Sequence, residues 1–152
     1  MKAFIYVGGK IDVNYITEHP KGDDITVAAD SGIRNALALG DRVDIAVGDF
    51  DSFPEREIPE SAEVIRLKPE KDITDAQAAI EIAIERGADS FIIIGGLSGR
   101  LDHTLANLSI LEDLAARNHY AIATDGFSRV HFVNGGSALI GRNCVVGNST
   151  EI

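Results

Sequence analysis

Hydrophobic positions along the chain follow two kinds of pattern, short continuous apolar runs and longer stretches with helical spacing. The continuous runs predict six strands: Ala3–Val7, Ile25–Ala29, Asp44–Val47, Glu63–Leu67, Phe91–Ile94 and Ala121–Thr124. Several of these runs are apolar at consecutive positions, which is typical of parallel strands that are covered on both faces.

Three stretches between the strands carry apolar residues at the three-and-four spacing of an amphipathic helix. They are Ser31–Leu39, Asp75–Arg86 and Thr104–Arg117, and glycine follows the first two at Gly40 and Gly87. Strands that alternate with helices imply right-handed crossovers. We therefore predict an α/β fold with a mostly parallel, doubly wound sheet in a Rossmann-like three-layer arrangement.

The pattern changes after Thr124, where no helical period follows. Val130–Val133, Gly135-Gly136 and Ala138–Ile140 predict a β-hairpin region. We predict an α/β domain over residues 1–124 and the incomplete start of a second, β-type unit over residues 125–152, which is too short to bury a core of its own. The segment Phe53–Glu60 carries two prolines and several charges, and it predicts a surface loop.

Composition narrows the possible functions. The chain has 152 residues and a formal net charge of −10, which argues against binding nucleic acid or an anionic membrane. A small phosphorylated ligand stays compatible, because a bound cation can reverse the local field. A single cysteine, Cys144, excludes an internal disulfide framework, and no apolar stretch resembles a signal peptide or a membrane span. We expect a cytoplasmic protein.

Aspartate follows four of the predicted strands. These loops contain Asp30, Asp49 with Asp51, Asp72 with Asp75, and Asp102. Ligands of open parallel sheets bind outside the carboxyl ends of the strands, and these loops should open on that edge. On an extended backbone Asp49 and Asp51 would project to one side while Phe50 turns away.

Such a cluster of carboxylates needs a compensating cation. Two carboxylates about 4 Å apart repel by roughly 4 kcal/mol at an effective dielectric near 20, and Asp75 and Asp102 would add to this. With oxygen ligands only, Mg²⁺ is the natural ion, and Mg²⁺ prefers a few carboxylates together with substrate phosphates. The pattern therefore points towards nucleoside triphosphate chemistry.

Simpler interpretations exist for each residue. Asp30, Thr74 and Asp102 precede predicted helices and could serve as N-terminal caps, and Asp75 would favour the same end of the helix dipole as Thr74. Asp49-Phe50-Asp51 could be a surface turn. Gly95-Gly96 with Gly99 could cradle a phosphate or form a plain turn, and Lys71 and Arg100 could bind phosphate or stay solvated. The P-loop and dinucleotide-binding motifs are absent, and Gly8-Gly9-Lys10 is only a weak echo of a phosphate loop.

Four motifs taken in order resemble the thiamine pyrophosphokinase catalytic domain. They are Ala29-Asp30-Ser31-Gly32, Gly48-Asp49-Phe50-Asp51-Ser52, Lys71-Asp72-Ile73-Thr74-Asp75 and Gly95-Gly96-Leu97-Ser98-Gly99-Arg100-Leu101-Asp102-His103, and Leu105-Ala106-Asn107-Leu108 continues the last one. The resemblance covers residues 1–140. The resemblance implies that a β-sandwich domain starts over residues 125–152, and the family's second domain is much longer than the 28 residues that follow Thr124 in this chain.

The resemblance implies an enzyme that transfers a pyrophosphoryl group from ATP to the hydroxyl of thiamine, with Mg²⁺, giving thiamine diphosphate and AMP. It implies a homodimer with thiamine in a cleft between subunits. Asp49 and Asp51 would hold Mg²⁺ on the ATP phosphates, and Asp75 and Asp102 would complete the catalytic and metal-binding set. The implied ATP- and substrate-binding residues are Asp30, Ser31, Gly32, Ser52, Lys71, Asp72, Thr74, Arg100 and Asn107.

Two other functions stay open. One is a different Mg²⁺-dependent phosphotransferase or phosphohydrolase, in which Asp49 acts as a covalent nucleophile. The other is a nucleotide- or thiamine-binding module without catalysis.

Overall fold

The main feature of the fold is one continuous, mostly parallel sheet. The computed structural model describes residues 1–51, 53–68 and 72–135. In these residues seven strands form the sheet: β1 (Lys2–Tyr6), β2 (Ile25–Ala29), β3 (Ile45–Gly48), β4 (Glu63–Arg66), β5 (Ser90–Ile94), β6 (Tyr120–Thr124) and β7 (Arg129–His131). Their order is β4-β3-β2-β1-β5-β6-β7, and only the β6–β7 pair is antiparallel.

Three α-helices connect the strands in the described residues: α1 (Gly32–Ala38), α2 (Asp75–Glu85) and α3 (Leu101–Ala116). Each predicted helix is confirmed, although α3 begins three residues before the predicted start. The amide of Thr104 already donates to the carbonyl of Arg100, so the first turn of the helix includes Asp102. None of the helices in this part of the chain is both long and apolar enough to cross a membrane.

Both faces of the sheet are covered, so the predicted three-layer α/β arrangement is confirmed. On one face α2 and α3 pack over alternate strand residues such as Ile5, Val27 and Phe91. On the other face α1 and the loops at residues 11–16 and 50–58 cover Phe4, Tyr6 and Ile92. Burial on both faces explains why the strands are apolar at consecutive positions.

The direction of winding reverses beside β1. Strands β2, β3 and β4 add successively on one side of β1, and the chain then crosses to place β5 on the other side. The carboxyl ends of β1 and β5 therefore flank the topological switch point, where open α/β sheets bind their ligands.

The predicted surface loop at Phe53–Glu60 is only partly at the surface. Phe53 is 4% exposed, and its ring centroid lies 6.4 Å from that of Phe50. A short 3₁₀ helix, Glu55–Glu57, follows. The prolines and charges of this segment suggested an exposed loop. In the structure, Phe53 instead packs on the core and anchors the segment there.

The C-terminal β region is described only at its start. β7 (Arg129–His131) overlaps the predicted strand Val130–Val133, begins one residue earlier, and adds to the edge of the same sheet. The predicted strand Ala138–Ile140 and Cys144 lie outside the described residues. The division into residues 1–124 and 125–152 stays a prediction.

Candidate active site

The carboxyl edge of the sheet brings three predicted site residues together. Asp30 directly follows β2, Asp49 directly follows β3, and Asp75 is the first residue of α2. Burial and then the charge of Asp49 raise the pKa of Asp30, and burial and then the charges of Asp30 and Asp49 raise the pKa of Asp75, so the three charges lie within interaction range. Convergence of acids from separate loops is thus confirmed for these three.

Asp30 holds an unusual position at the centre of this edge. Its backbone has a φ of 46°, in the left-handed region, and its amide donates to the carbonyl of Val47 at 2.8 Å. The Oδ1 atom is buried and has no hydrogen-bond partner in the described residues. Burial, followed by the charge of Asp49, raises the pKa of the Asp30 carboxyl. The fold therefore disfavours the charged form of this carboxyl, as is common at functional sites.

The Asp49-Phe50-Asp51 segment is a turn, so the expectation of an extended backbone is wrong. Phe50 has a φ of 58°, and the amide of Asp51 donates to Oδ1 of Asp49 at 3.1 Å. The reason is tertiary, because Phe50 is pulled into the core and is only 6% exposed. The turn leaves Asp49 half-buried beside Asp30 and Asp51 exposed, and the charge of Asp51 also acts on Asp30.

Thr74 and Asp75 begin α2 with a complete capping box. The Thr74 hydroxyl accepts from the amide of Gln77 at 3.1 Å, and the Gln77 side chain accepts from the Thr74 amide at 3.0 Å. Capping therefore accounts for Thr74. Asp75 is half-buried, and burial, then Asp30 and Asp49, raise the pKa of its carboxyl. The helix start thus fixes Asp75 where it faces the other two acids.

Replacing Asp30 by asparagine should raise the melting temperature of the metal-free protein at pH 7. The raised pKa means that the folded state binds a proton more readily than the unfolded state, so this carboxyl lowers stability as pH rises through that window. Asparagine has nearly the same shape, tolerates a positive φ and carries no charge.

The stabilisation should disappear as pH falls below the usual aspartate range, where Asp30 is neutral in both states. Thermal unfolding at several pH values, without divalent ions, measures this. The exposed residue Asp23 provides the matched control as Asp23→Asn. An Asp30→Asn protein that is less stable than the wild type at pH 7 would contradict the repulsion described here.

Asp102 does not join the three acids. It lies exposed in the first turn of α3 and pairs with Arg100, whose Nη2 lies 2.6 Å from its Oδ2. Hydrogen bonding from Arg100 lowers the pKa of the Asp102 carboxyl. Its side chain does not cap the helix, since the cap position is Arg100. In this structure Arg100 and Asp102 therefore neutralise each other at the rim of the site.

Some of the remaining predicted residues lie in the described part of the chain, and others do not. Ser31 is the cap residue of α1 and makes no capping bond with its side chain, and Gly32 begins that helix. A Cβ at Gly32 would lie 2.1 Å from the carbonyl oxygen of Tyr6, so the helix start touches the end of β1. Asp72 is exposed. Ser52 and Lys71 lie outside the described residues.

Asn107 contacts the protein backbone. Its Nδ2 donates to the carbonyl of Gly96 at 2.9 Å, so it holds the loop after β5. Sequence reasoning missed two residues, Asn35 and Ser98. Both form hydrogen bonds with the loops at the switch point. In the sequence, Asn35 could have been recognised as a polar residue at a helix position that faces the sheet.

Within residues 1–51, 53–68 and 72–135 no group of three or more His, Cys, Asp or Glu side chains is arranged so that it could hold a metal ion. The predicted set of Asp49, Asp51, Asp75 and Asp102 is therefore not assembled as a complete cage. The donors that do converge are carboxylate oxygens, which suit a hard divalent ion.

The fold and the site together define a class of protein, a doubly wound α/β domain with acidic groups at the carboxyl edge of its sheet. Comparison with known proteins specifies the family. Residues 17–124 match the family model described as thiamin pyrophosphokinase, catalytic domain. The chain therefore belongs to the thiamin pyrophosphokinase family.

Individual relatives agree with this assignment. The chain is 32% identical over 94 residues to Thiamin pyrophosphokinase 1 of Caenorhabditis elegans, covering 56% of this chain and 38% of the relative. It is 35% identical over 101 residues to thiamine pyrophosphokinase of Bacillus subtilis, and the match covers 64% of this chain and 45% of the relative. The crystal structure of the Bacillus subtilis protein superposes with a TM-score of 0.68 at 28% identity, covering 82% of this chain and 61% of that one. The chain thus matches less than half the length of these two curated relatives.

Proposed function

We propose that this protein transfers a pyrophosphoryl group from ATP to the hydroxyl of thiamine and releases thiamine diphosphate and AMP. Membership of the thiamin pyrophosphokinase family supports the reaction. The observation that carries the proposal to this chain is the convergence of Asp30, Asp49 and Asp75 at the carboxyl edge of the sheet. Transfer of a phosphoryl-type group asks the protein mainly for alignment and charge neutralisation.

Mg²⁺ fits the residues present at this edge. Burial, followed by the charges of neighbouring aspartates, raises the pKa of Asp30 and of Asp75, and the buried Oδ1 of Asp30 has no partner in the described residues. Mg²⁺ is usually bound through one or two carboxylates plus waters and substrate phosphates, so a protein cage of three ligands is not required. Asp49, with Asp30, Asp51 or Asp75 beside it, would hold the ion, which would neutralise charge on the phosphate oxygens.

The protein's own groups would align the reactants. The half-buried Asp75 is fixed by the capping box of α2, and the raised pKa of its carboxyl makes it a stronger base than an ordinary aspartate. We assign to Asp75 the acceptance of the proton from the thiamine alcohol. Asp102, which pairs with Arg100, would orient that alcohol. Opening of this exposed ion pair would leave Arg100 free to bind a phosphate.

The same proposal includes a cytoplasmic homodimer with thiamine held between subunits. Its support is the family resemblance together with an apolar surface beside the site. Leu101 and Leu105 at the start of α3 are 71% and 54% exposed, next to Asp102. A second subunit or the apolar part of thiamine would cover them favourably.

Incubation with ATP, Mg²⁺ and thiamine tests the function directly. AMP formed in equal amount with thiamine diphosphate supports the proposal. Phosphate release without dependence on thiamine would instead indicate a hydrolase, and a trapped aspartyl phosphate would indicate a covalent nucleophile. Nucleotide binding with no turnover would indicate a binding module.

A further inference from the structure

Two buried phenylalanine rings next to the candidate active site are each covered by an arginine. The guanidinium carbon of Arg34, on α1, lies 5.0 Å from the ring centroid of Phe53. The guanidinium carbon of Arg66, the last residue of β4, lies 5.7 Å from the ring centroid of Phe50. Both rings are buried and both arginine side chains are more than half exposed, so each arginine covers its ring on the solvent side.

A glutamate of the short 3₁₀ helix holds each of these arginines. Nε and Nη2 of Arg34 donate to the two carboxylate oxygens of Glu57 at 2.9 and 3.1 Å, which makes a bidentate pair. Nη2 of Arg66 donates to Oε1 of Glu55. We call these two arginines and two glutamates the arginine clamp. The clamp joins the 3₁₀ helix to α1 on one side and to β4 on the other.

The rings under the clamp shape the turn that carries Asp49. Phe50 has a φ of 58°, a conformation that an aromatic residue keeps only where its surroundings enforce it. Burial of its ring beside the ring of Phe53 provides that enforcement. Oδ1 of Asp49 accepts from the amide of Asp51 in the same turn. Fixing the two rings therefore also fixes the direction of the Asp49 carboxylate.

We propose that Arg34 and Arg66 are positioning residues that hold the Asp49 carboxylate in its direction through the two phenylalanine rings. The inference rests on the proposed function, because that function gives Asp49 its role in holding the divalent ion. In this role neither arginine touches the nucleotide or the ion. Each acts only by keeping a buried ring, and with it the turn, in place.

The positive charge of Arg34 also acts on the site directly. Burial raises the pKa of the Asp30 carboxyl, and the charge of Arg34 opposes this rise. Lysine separates the two roles of Arg34, because lysine keeps the charge but lacks the planar fork that pairs with Glu57. Arg34→Lys should therefore retain a purely electrostatic role and lose the positioning role.

The experiment compares Arg34→Ala, Arg34→Lys and Arg66→Ala with the wild type. Arg86→Ala is the matched control, since Arg86 also pairs with an exposed glutamate, Glu63, but at the opposite edge of the sheet. Hydrogen exchange of the Asp51 amide is measured without nucleotide or metal. The rate of thiamine diphosphate formation is measured over a range of Mg²⁺ concentrations, and thermal unfolding checks the fold.

The proposal expects faster exchange of the Asp51 amide in the three clamp variants. It also expects the Mg²⁺ concentration that gives half the maximal rate to rise by about three- to tenfold in the two alanine variants, and in the same direction in Arg34→Lys. Neither quantity should change in Arg86→Ala. If Arg34→Ala does not fold, Arg34→Lys and Arg66→Ala decide the matter.

Wild-type exchange and Mg²⁺ dependence in Arg34→Lys would overturn the proposal in favour of a direct effect of charge. A lower melting temperature with both quantities unaltered would leave the arginines a structural role only, and would overturn it as well. A wild-type protein that makes no thiamine diphosphate would remove the proposed function. Exchange of the Asp51 amide would then still decide separately, for or against the clamp.

Discussion

Asp49→Asn is expected to lower Mg²⁺-dependent formation of thiamine diphosphate by about 100-fold or more while the protein stays folded. Asp49 is the residue whose charge acts on both Asp30 and Asp75, so it lies centrally among the converging acids. Asparagine removes the charge that would hold the ion but keeps the Oδ1 atom that accepts from the amide of Asp51. The turn should therefore survive, and less repulsion should leave stability equal or higher at pH 7.

The measurement is the rate of AMP and thiamine diphosphate production over a range of Mg²⁺ concentrations, with thermal unfolding as a check on folding. Asp23→Asn removes the same charge from an exposed turn at the opposite edge of the sheet, and it should leave the rate unchanged. Full turnover in Asp49→Asn would refute the metal-binding role of this residue.

Leu114→Ala should give the largest loss of stability among the substitutions considered, about 2–5 kcal/mol. Leu114 is 0% exposed and packs in the core cluster that α2 and α3 form with the sheet. Alanine would leave a cavity there, because neighbouring side chains and the strands cannot close over the space. For a domain of this size, such a loss corresponds to a melting temperature roughly 10 °C lower. Urea unfolding gives the free energy directly.

Leu37→Ala is the matched control, because Leu37 on α1 is 48% exposed. The same truncation there should change the free energy of unfolding by less than about 0.5 kcal/mol. Equal losses in the two variants would mean that the buried face of α3 is wrongly assigned.

Most elements of the fold could be predicted from the pattern of apolar residues. Ile25–Ala29 was placed without error, and the other predicted strands differ from the observed ones by a residue or two at their ends. Continuous apolar runs arise because both faces of a strand are buried. The pattern therefore indicates that both faces of the sheet are covered by other layers. The start of α3 was missed because Asp102 resembles a cap before Thr104, whereas the helix begins at Leu101.

The candidate site was predicted less completely. The convergence of Asp30, Asp49 and Asp75 follows from their places after parallel strands, and the structure confirms it. The turn at Phe50 was only the alternative interpretation of this segment, because it depends on packing of its ring against the core near Phe53. The pairing of Asp102 with Arg100 was also missed, since either charge alone fits a solvated rim.

The amino-acid sequence by itself determined the α/β class, the parallel sheet and the loops on which the acids lie, because hydrophobic period and turn residues are local properties. Only the tertiary structure decided that the winding reverses beside β1, and that Asn35 and Ser98 form hydrogen bonds with the loop that follows β1. Ser98 is 88 residues from its partner Lys10. A contact of this kind depends on the order in which strands assemble, and a local pattern carries no information about that order.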